Sequence, residues 1–236
     1  MSGRPTDGRQ VRWEQHNVER RAAILAAAIE AIEATPPGDE VNVAHIAERA
    51  GVGRTVIYRH FTDRAELDRE IRISVLNDVW DHLLPVLTLE GSIPQIVERT
   101  VAAYVGWADA HPALHHVAVT AEPGGGNPLD EGVAVIADRV VELIETAVAI
   151  LRLELSDDEA AAIDPLVHGF VGAVFGVVRR WLARPVREPG AEVLVELTTA
   201  SVWFQIQGHA RALGLELRAD QPIEELLAGI PTEAAE

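Results

Sequence analysis

Between Arg49 and Phe61 the chain carries three arginines, Arg49, Arg54 and Arg59, interleaved with Thr55, Tyr58 and His60 and with no acidic side chain. Asn42 and His45 precede this stretch and Arg64 follows it. A guanidinium presents a planar fork of donors that matches two phosphate oxygens or the O6/N7 edge of guanine. Hydroxyl, amide and imidazole groups add hydrogen bonds to a sugar–phosphate backbone. The chemistry on offer is recognition of a polyanion, not bond breaking. Lysine is absent, which removes a phosphate-loop lysine and a Schiff-base lysine. Cysteine is absent too, so there is no disulfide, thiolate zinc site or cysteine nucleophile. No Gly-x-Ser-x-Gly or His-Glu-x-x-His occurs, and Gly124–Gly126 has no lysine after it. No catalytic residue, metal site or cofactor is assigned.

Side chains that must face one partner need rigid support, and the spacing predicts helices. Ile24, Leu25, Ala28, Ile29 and Ile32 fall on one face of a helix capped at Asn17. Shorter helices are predicted over about Val43–Ala50 and Arg54–His60. A long one runs from Arg64, capped by Asp63, to Leu84, where Pro85 stops it. Ala47 is small enough for a helix crossing. Gly51 tolerates the positive φ of a sharp turn, and Ile57 seals the inner face. Ile46, Val52 and Phe61 complete the core. These three helices make a helix-turn-helix whose outer face presents Arg54, Thr55, Tyr58 and Arg59. Such a helix fits the major groove of DNA.

At these residues the chain resembles the DNA-binding domain of TetR-family transcription regulators. The resemblance lies in Ile46–Ala47, Ala50–Gly51–Val52, Tyr58 with Phe61, Arg64 and Leu67, and covers about residues 18–70. It implies that Arg54, Thr55 and Arg59 face the groove and that Tyr58 and His60 contact backbone. It also implies that Asn42, His45 and Arg64 lie near phosphates. Two positions depart from the family pattern. Gly53 stands where a hydroxyl cap is usual, and Val56 stands where a second hydroxyl would meet a phosphate. The implied fold is all-α: a three-helix DNA-binding domain at 17–64, preceded by a flexible arm at 1–16, is joined by a long helix to an effector-binding and dimerisation domain at 65–236. Arg4, Arg9 and Arg12 lie in the arm.

Charge divides the chain along the same line. Residues 1–72 hold 11 arginines against 12 acidic side chains, and the remaining 164 hold 9 against 25. The acidic body is predicted as helices over about Pro94–Ala110, Leu129–Leu153, Asp157–Leu182, Glu192–Leu213 and Glu224–Ala228, without a sheet. The helix ending near Leu213 is apolar along two stripes. One is Leu194, Leu197, Ser201, Phe204 and Gly208; the other is Val195, Thr199, Val202, Ile206 and Leu213. A helix apolar on both sides is covered on both sides, and a second copy of the chain can supply one cover. Small residues at Gly169, Gly172, Ala173 and Gly176 suggest close helix approach or room for a ligand. Tyr104, Trp107, Phe170, Phe175 and Trp203 are candidates for an effector pocket and equally for plain core. His111, His115 and His116 would need a further ligand such as His168 to hold a metal.

The expectation is a cytoplasmic homodimeric repressor that binds palindromic double-stranded DNA and is released by an apolar or amphipathic small-molecule effector. The alternatives are an enzyme with a vestigial helix-turn-helix and an architectural DNA-binding protein. The N-terminal segment lacks the apolar run of a secretory signal. No uncharged stretch exceeds the 14 residues of Pro165–Val178, so no membrane span is expected.

Overall fold

The computed structural model describes residues 8–120, 128–150 and 152–228. Among the described residues there are ten α-helices and no strand. They are α1 (Gly8–Glu33), α2 (Val43–Arg49), α3 (Arg54–His60), α4 (Arg64–Leu83), α5 (Ile93–Ala110), α6 (Pro112–Val119), α7 (Pro128–Ile150), α8 (Asp157–Leu182), α9 (Ala191–Ala212) and α10 (Ile223–Ala228). A 3-10 turn at Leu84–Val86 follows α4, where Pro85 ends the α-helical ladder.

The chain divides into two compact units. The first runs through Asp78 and takes in His111–Ala118; the second comprises Val79–Ala110 and the chain from Val119 onward. The division between the units falls within α4, after Asp78, and α6 lies with the N-terminal unit. Arg72 on α4 donates to the Val117 carbonyl of α6, and the His111 ring lies 2.5 Å from the Glu33 carboxylate. One expectation changes. α1 begins at Gly8 rather than behind a cap at Asn17, so residues 8–16 of the expected arm are helical. No proline or glycine interrupts Arg9 to Asn17, so nothing stops the helix from propagating. Arg4 and the side chains of Arg9 and Arg12 lie outside the described residues.

In the first unit, Ile24 and Ala28 of α1, Ile46 and Ala47 of α2, and Ile57 of α3 are buried together with Phe61 and with Leu67, Ile71 and Val75 of α4. The last three recur every fourth residue, the period that keeps one helix face inward.

In the second unit α5 packs on α9 and α8, and α7 packs on α8. Ser156 caps α8 with a reciprocal box: its hydroxyl accepts from the Glu159 N–H, and Glu159 accepts from the Ser156 N–H. These bonds hold the Glu159 carboxyl below its usual range. α8 is 26 residues long and, by length and composition alone, could cross a bilayer. One helix passing that test is weak ground for a span and does not overturn the expectation of none.

Candidate nucleic-acid interface

The turn between α2 and α3 is built as the residue types demand. Asn42 caps α2, its Oδ1 accepting from the N–H groups of Ala44 and His45. Gly51 sits at φ +63° and the Val52 N–H returns to the Ala47 carbonyl at 2.9 Å. A Cβ at Gly51 would meet nothing within 4 Å, so glycine is needed there for its backbone angle, not for space. Gly53 caps α3 without a side-chain bond. Ile57 is fully buried on the inner face, and Phe61 closes the helix in an extended conformation.

The outer face of α3 presents Arg54, Thr55, Tyr58 and Arg59, all exposed, with Tyr58 at 48%. Neither guanidinium is hydrogen-bonded or ion-paired among the described residues. His60 is half-buried at the end of the helix. Burial, followed by the nearby Arg59, Arg20, Arg21 and His16, pushes its imidazole pKa down. It is therefore neutral at pH 7, in surroundings that favour an anion. His45 is exposed on α2, and Val56 is half-buried on α3.

The other arginines of this region are engaged within the protein. Arg64 holds both carboxylate oxygens of Asp68 through Nε at 2.8 Å and the Val41 carbonyl through Nη2 at 2.8 Å. A phosphate at Arg64 has to compete with these bonds. Arg49 ties α2 to the Glu30 carbonyl of α1. Arg21, which the sequence pattern does not single out, donates to the His60 carbonyl and pairs with Glu66 and Glu70. Its partners lie far along the chain, so no local spacing marks it.

Residues 24–71 match the family model of bacterial regulatory proteins of the tetR family. That span contains the whole α2–turn–α3 geometry. Over this segment the chain carries a tetR-family DNA-binding domain. An uncharacterized HTH-type transcriptional regulator of Mycobacterium tuberculosis is 25% identical over 221 residues, covering 92% of this chain and 90% of the relative. A nucleoid occlusion factor, SlmA, of a Marinomonas species is 20% identical over 183 residues, covering 77% of this chain and 92% of its own length. In three dimensions the chain resembles a tetR-family transcriptional regulator from Streptomyces coelicolor. There the TM-score is 0.62 and the identity 20%, with 92% of this chain and 91% of the other covered. A TetR-like regulator from a Rhodococcus species gives a TM-score of 0.52 at 18% identity, covering 80% and 96%. The protein is a DNA-binding transcriptional regulator.

In the second unit, Tyr104 and Trp107 of α5, Phe175 of α8 and Trp203 of α9 are buried. The rings of Tyr104 and Phe175 lie 4.5 Å apart. Burial pushes the Tyr104 hydroxyl pKa well up, so it stays protonated. Phe170 is half-buried, its ring 5.7 Å from that of His209. The Thr199 hydroxyl on α9 is buried without a hydrogen-bond partner among the described residues.

Among the described residues nothing closely approaches the small-residue stripe of α8. A Cβ added at Gly169, Gly172 or Gly176 meets nothing within 4 Å, because this side of the helix faces outward. The buried face of α9 is Leu194, Thr198, Thr199, Trp203 and Ala210, which takes one residue from each expected stripe. The rest of the first stripe is exposed, Leu197 at 57% and Phe204 at 68%, while Val195, Val202 and Ile206 of the second are half-buried.

Among the described residues His168 meets Asp138 of α7 and Asp164 of α8. The three ligand-capable atoms lie within 4.8 Å of one another. Asp138 and Asp164 are strongly exposed, a setting that carboxylates occupy in water without an ion.

Proposed function

We propose that the chain is a ligand-responsive repressor that binds a near-palindromic operator as a homodimer, with α3 in the major groove. The observation that carries this reading is the outer face of α3. Among the described residues Arg54 and Arg59 have no internal partner; they stand beside Thr55 and Tyr58, on a helix held by a turn whose positive φ favours glycine. Arg54, near the start of α3, is placed to read a guanine edge. Tyr58, His60, His45 and Asn42 supply backbone contacts. Asn42 has its carbonyl oxygen committed to the cap, so its amide N–H groups serve.

The dimer reading rests on α8 and α9. Leu166 and Val177 of α8 are exposed, as are Leu197 and Phe204 of α9, where an unpartnered monomer would leave them in water. Two such helix pairs related by a two-fold axis form a four-helix bundle. Recognition helices then fall on successive major grooves, about 34–36 Å apart.

The effector reading rests on the buried Thr199 hydroxyl, on the same helix as Trp203. A small apolar molecule carrying one hydrogen-bonding group suits it. Binding in the body lowers operator affinity by favouring a dimer whose recognition helices no longer match the operator spacing.

Selection from random duplexes, followed by mobility shift, tests the first part. A folded protein that enriches no sequence at low salt sinks it. Sedimentation of the free protein tests the dimer.

A further inference from the structure

α3 is seven residues long, two turns, and a helix so short does not hold its own geometry in water. Its start is held by the Gly51 turn and its middle by buried Ile57. Its end is held by a residue of α1. The Arg21 guanidinium donates through Nη1 to the His60 carbonyl at 2.5 Å, one of the last carbonyls of α3, which have no intrahelical partner. Through Nη2 it lies 3.0 Å from carboxylate oxygens of both Glu66 and Glu70 on α4. Its Cζ stands 4.2 Å from the centre of the Phe61 ring. Glu66 in turn accepts the Thr62 N–H at 2.6 Å. One side chain therefore joins α1 to the end of α3, to the connection at Phe61–Thr62 and to the first turns of α4. A planar fork can bond in several directions at once while stacking; an ammonium cannot.

We propose that Arg21 is the positioning residue for DNA reading: it leaves the DNA to Arg54 and Arg59 and sets the tilt of α3 by bracing its last carbonyl against α4. The inference rests on the assignment of α3 as the recognition helix. Both terminal nitrogens of Arg21 are committed within the protein, Nη1 to the His60 carbonyl and Nη2 to the carboxylates of Glu66 and Glu70, which a phosphate would have to displace. Loss of the brace lets α3 drift, which damages base reading more than attraction to phosphates.

The test uses the full chain, an operator selected by the wild type from random duplexes, and a scrambled duplex of equal length. Affinities are compared below the melting temperature of each variant, followed by circular dichroism. Arg21→Gln is expected to lower the ratio of operator to scrambled affinity roughly tenfold or more, with scrambled affinity within about twofold of wild type. Arg21→Lys keeps the charge and loses the fork, so its ratio stays nearer to Arg21→Gln than to wild type. Glu66→Gln, a milder change that serves if Arg21→Gln does not fold, lowers the ratio by roughly two- to fivefold. An equal fall on both duplexes, with the salt slope reduced by about 0.9, marks a phosphate contact and overturns the proposal. An unchanged ratio in folded Arg21→Gln or folded Glu66→Gln reduces Arg21 to a stability role and also overturns it. A wild type that selects no sequence overturns the recognition-helix assignment and this inference with it.

Discussion

α3 and the α8–α9 pair both present exposed faces, and the two faces are chemically opposite. On α3 the exposed side chains are Arg54, Thr55, Tyr58 and Arg59 over a buried Ile57. On α8 and α9 they are Leu166, Val177, Leu197 and Phe204. Cationic donors without internal partners gain from meeting an anion, and the gain falls with salt. Exposed apolar side chains gain from meeting apolar surface, and salt does little to that. Exposure alone thus says that a face awaits something. Its chemistry says what.

The largest effect should come from breaking the apolar face. Phe204→Asp is expected to leave the helical signal of the subunit intact and to turn the dimer into a monomer in sedimentation. Operator affinity should then fall toward non-specific levels, on the order of 10³-fold or more. A variant that remains dimeric would place the interface elsewhere.

Next comes the polar face. Arg54→Ala should weaken operator binding by about 1–3 kcal/mol while leaving the dimer untouched. Titrations against wild-type and single-base-changed operators check it, and loss of discrimination at one base pair is the expected signature. If Arg54→Ala disturbed the oligomeric state, the contrast between the two faces would collapse.

A smaller effect is expected at the turn that sets the polar face. Gly51→Ala has room for its methyl group but must adopt φ +63°, so it should lower stability by about 1–2 kcal/mol in denaturant melts.

The smallest is a pH effect. Hydrogen bonds from Thr62, with Arg21 beside them, hold the Glu66 carboxyl down at about 2, against an ordinary 4.5. A depressed carboxyl adds stability that is present above the unfolded value and lost as pH falls from about 4.5 toward 2. Acid titration of Glu66→Gln should therefore show a shallower loss of stability across that window than wild type.

Much of the helix-turn-helix is legible in the amino-acid sequence. The residues that build the turn act within a few positions of one another, and a glycine at a positive-φ turn is a local requirement. The helix limits of α2, α3 and α8 also follow from caps and from periodicity. The start of α1 does not, because Asn17 is a good cap but also a tolerable interior residue, and nothing upstream breaks the helix. The glycine stripe of α8 can be read as close approach or as open space, since a small residue serves both. The aromatic candidates are largely buried, yet burial alone does not separate a pocket wall from a core.

The sequence by itself determined the helix-turn-helix, its outward residues and the partition of charge, because each depends on spacing of a few residues or on simple counting. Only the tertiary structure decided which arginines remain available. Among the described residues Arg54 and Arg59 have no partner, whereas Arg49, Arg64 and Arg21 are engaged with groups 19, 23 and 39 to 49 residues away. It likewise decided which residues of α9 turn inward: Leu194, Thr199 and Trp203 are buried and Leu197 and Phe204 are not, although the apolar pattern alone does not distinguish them. Interactions across such separations exist only once the chain has folded, so no periodicity records them.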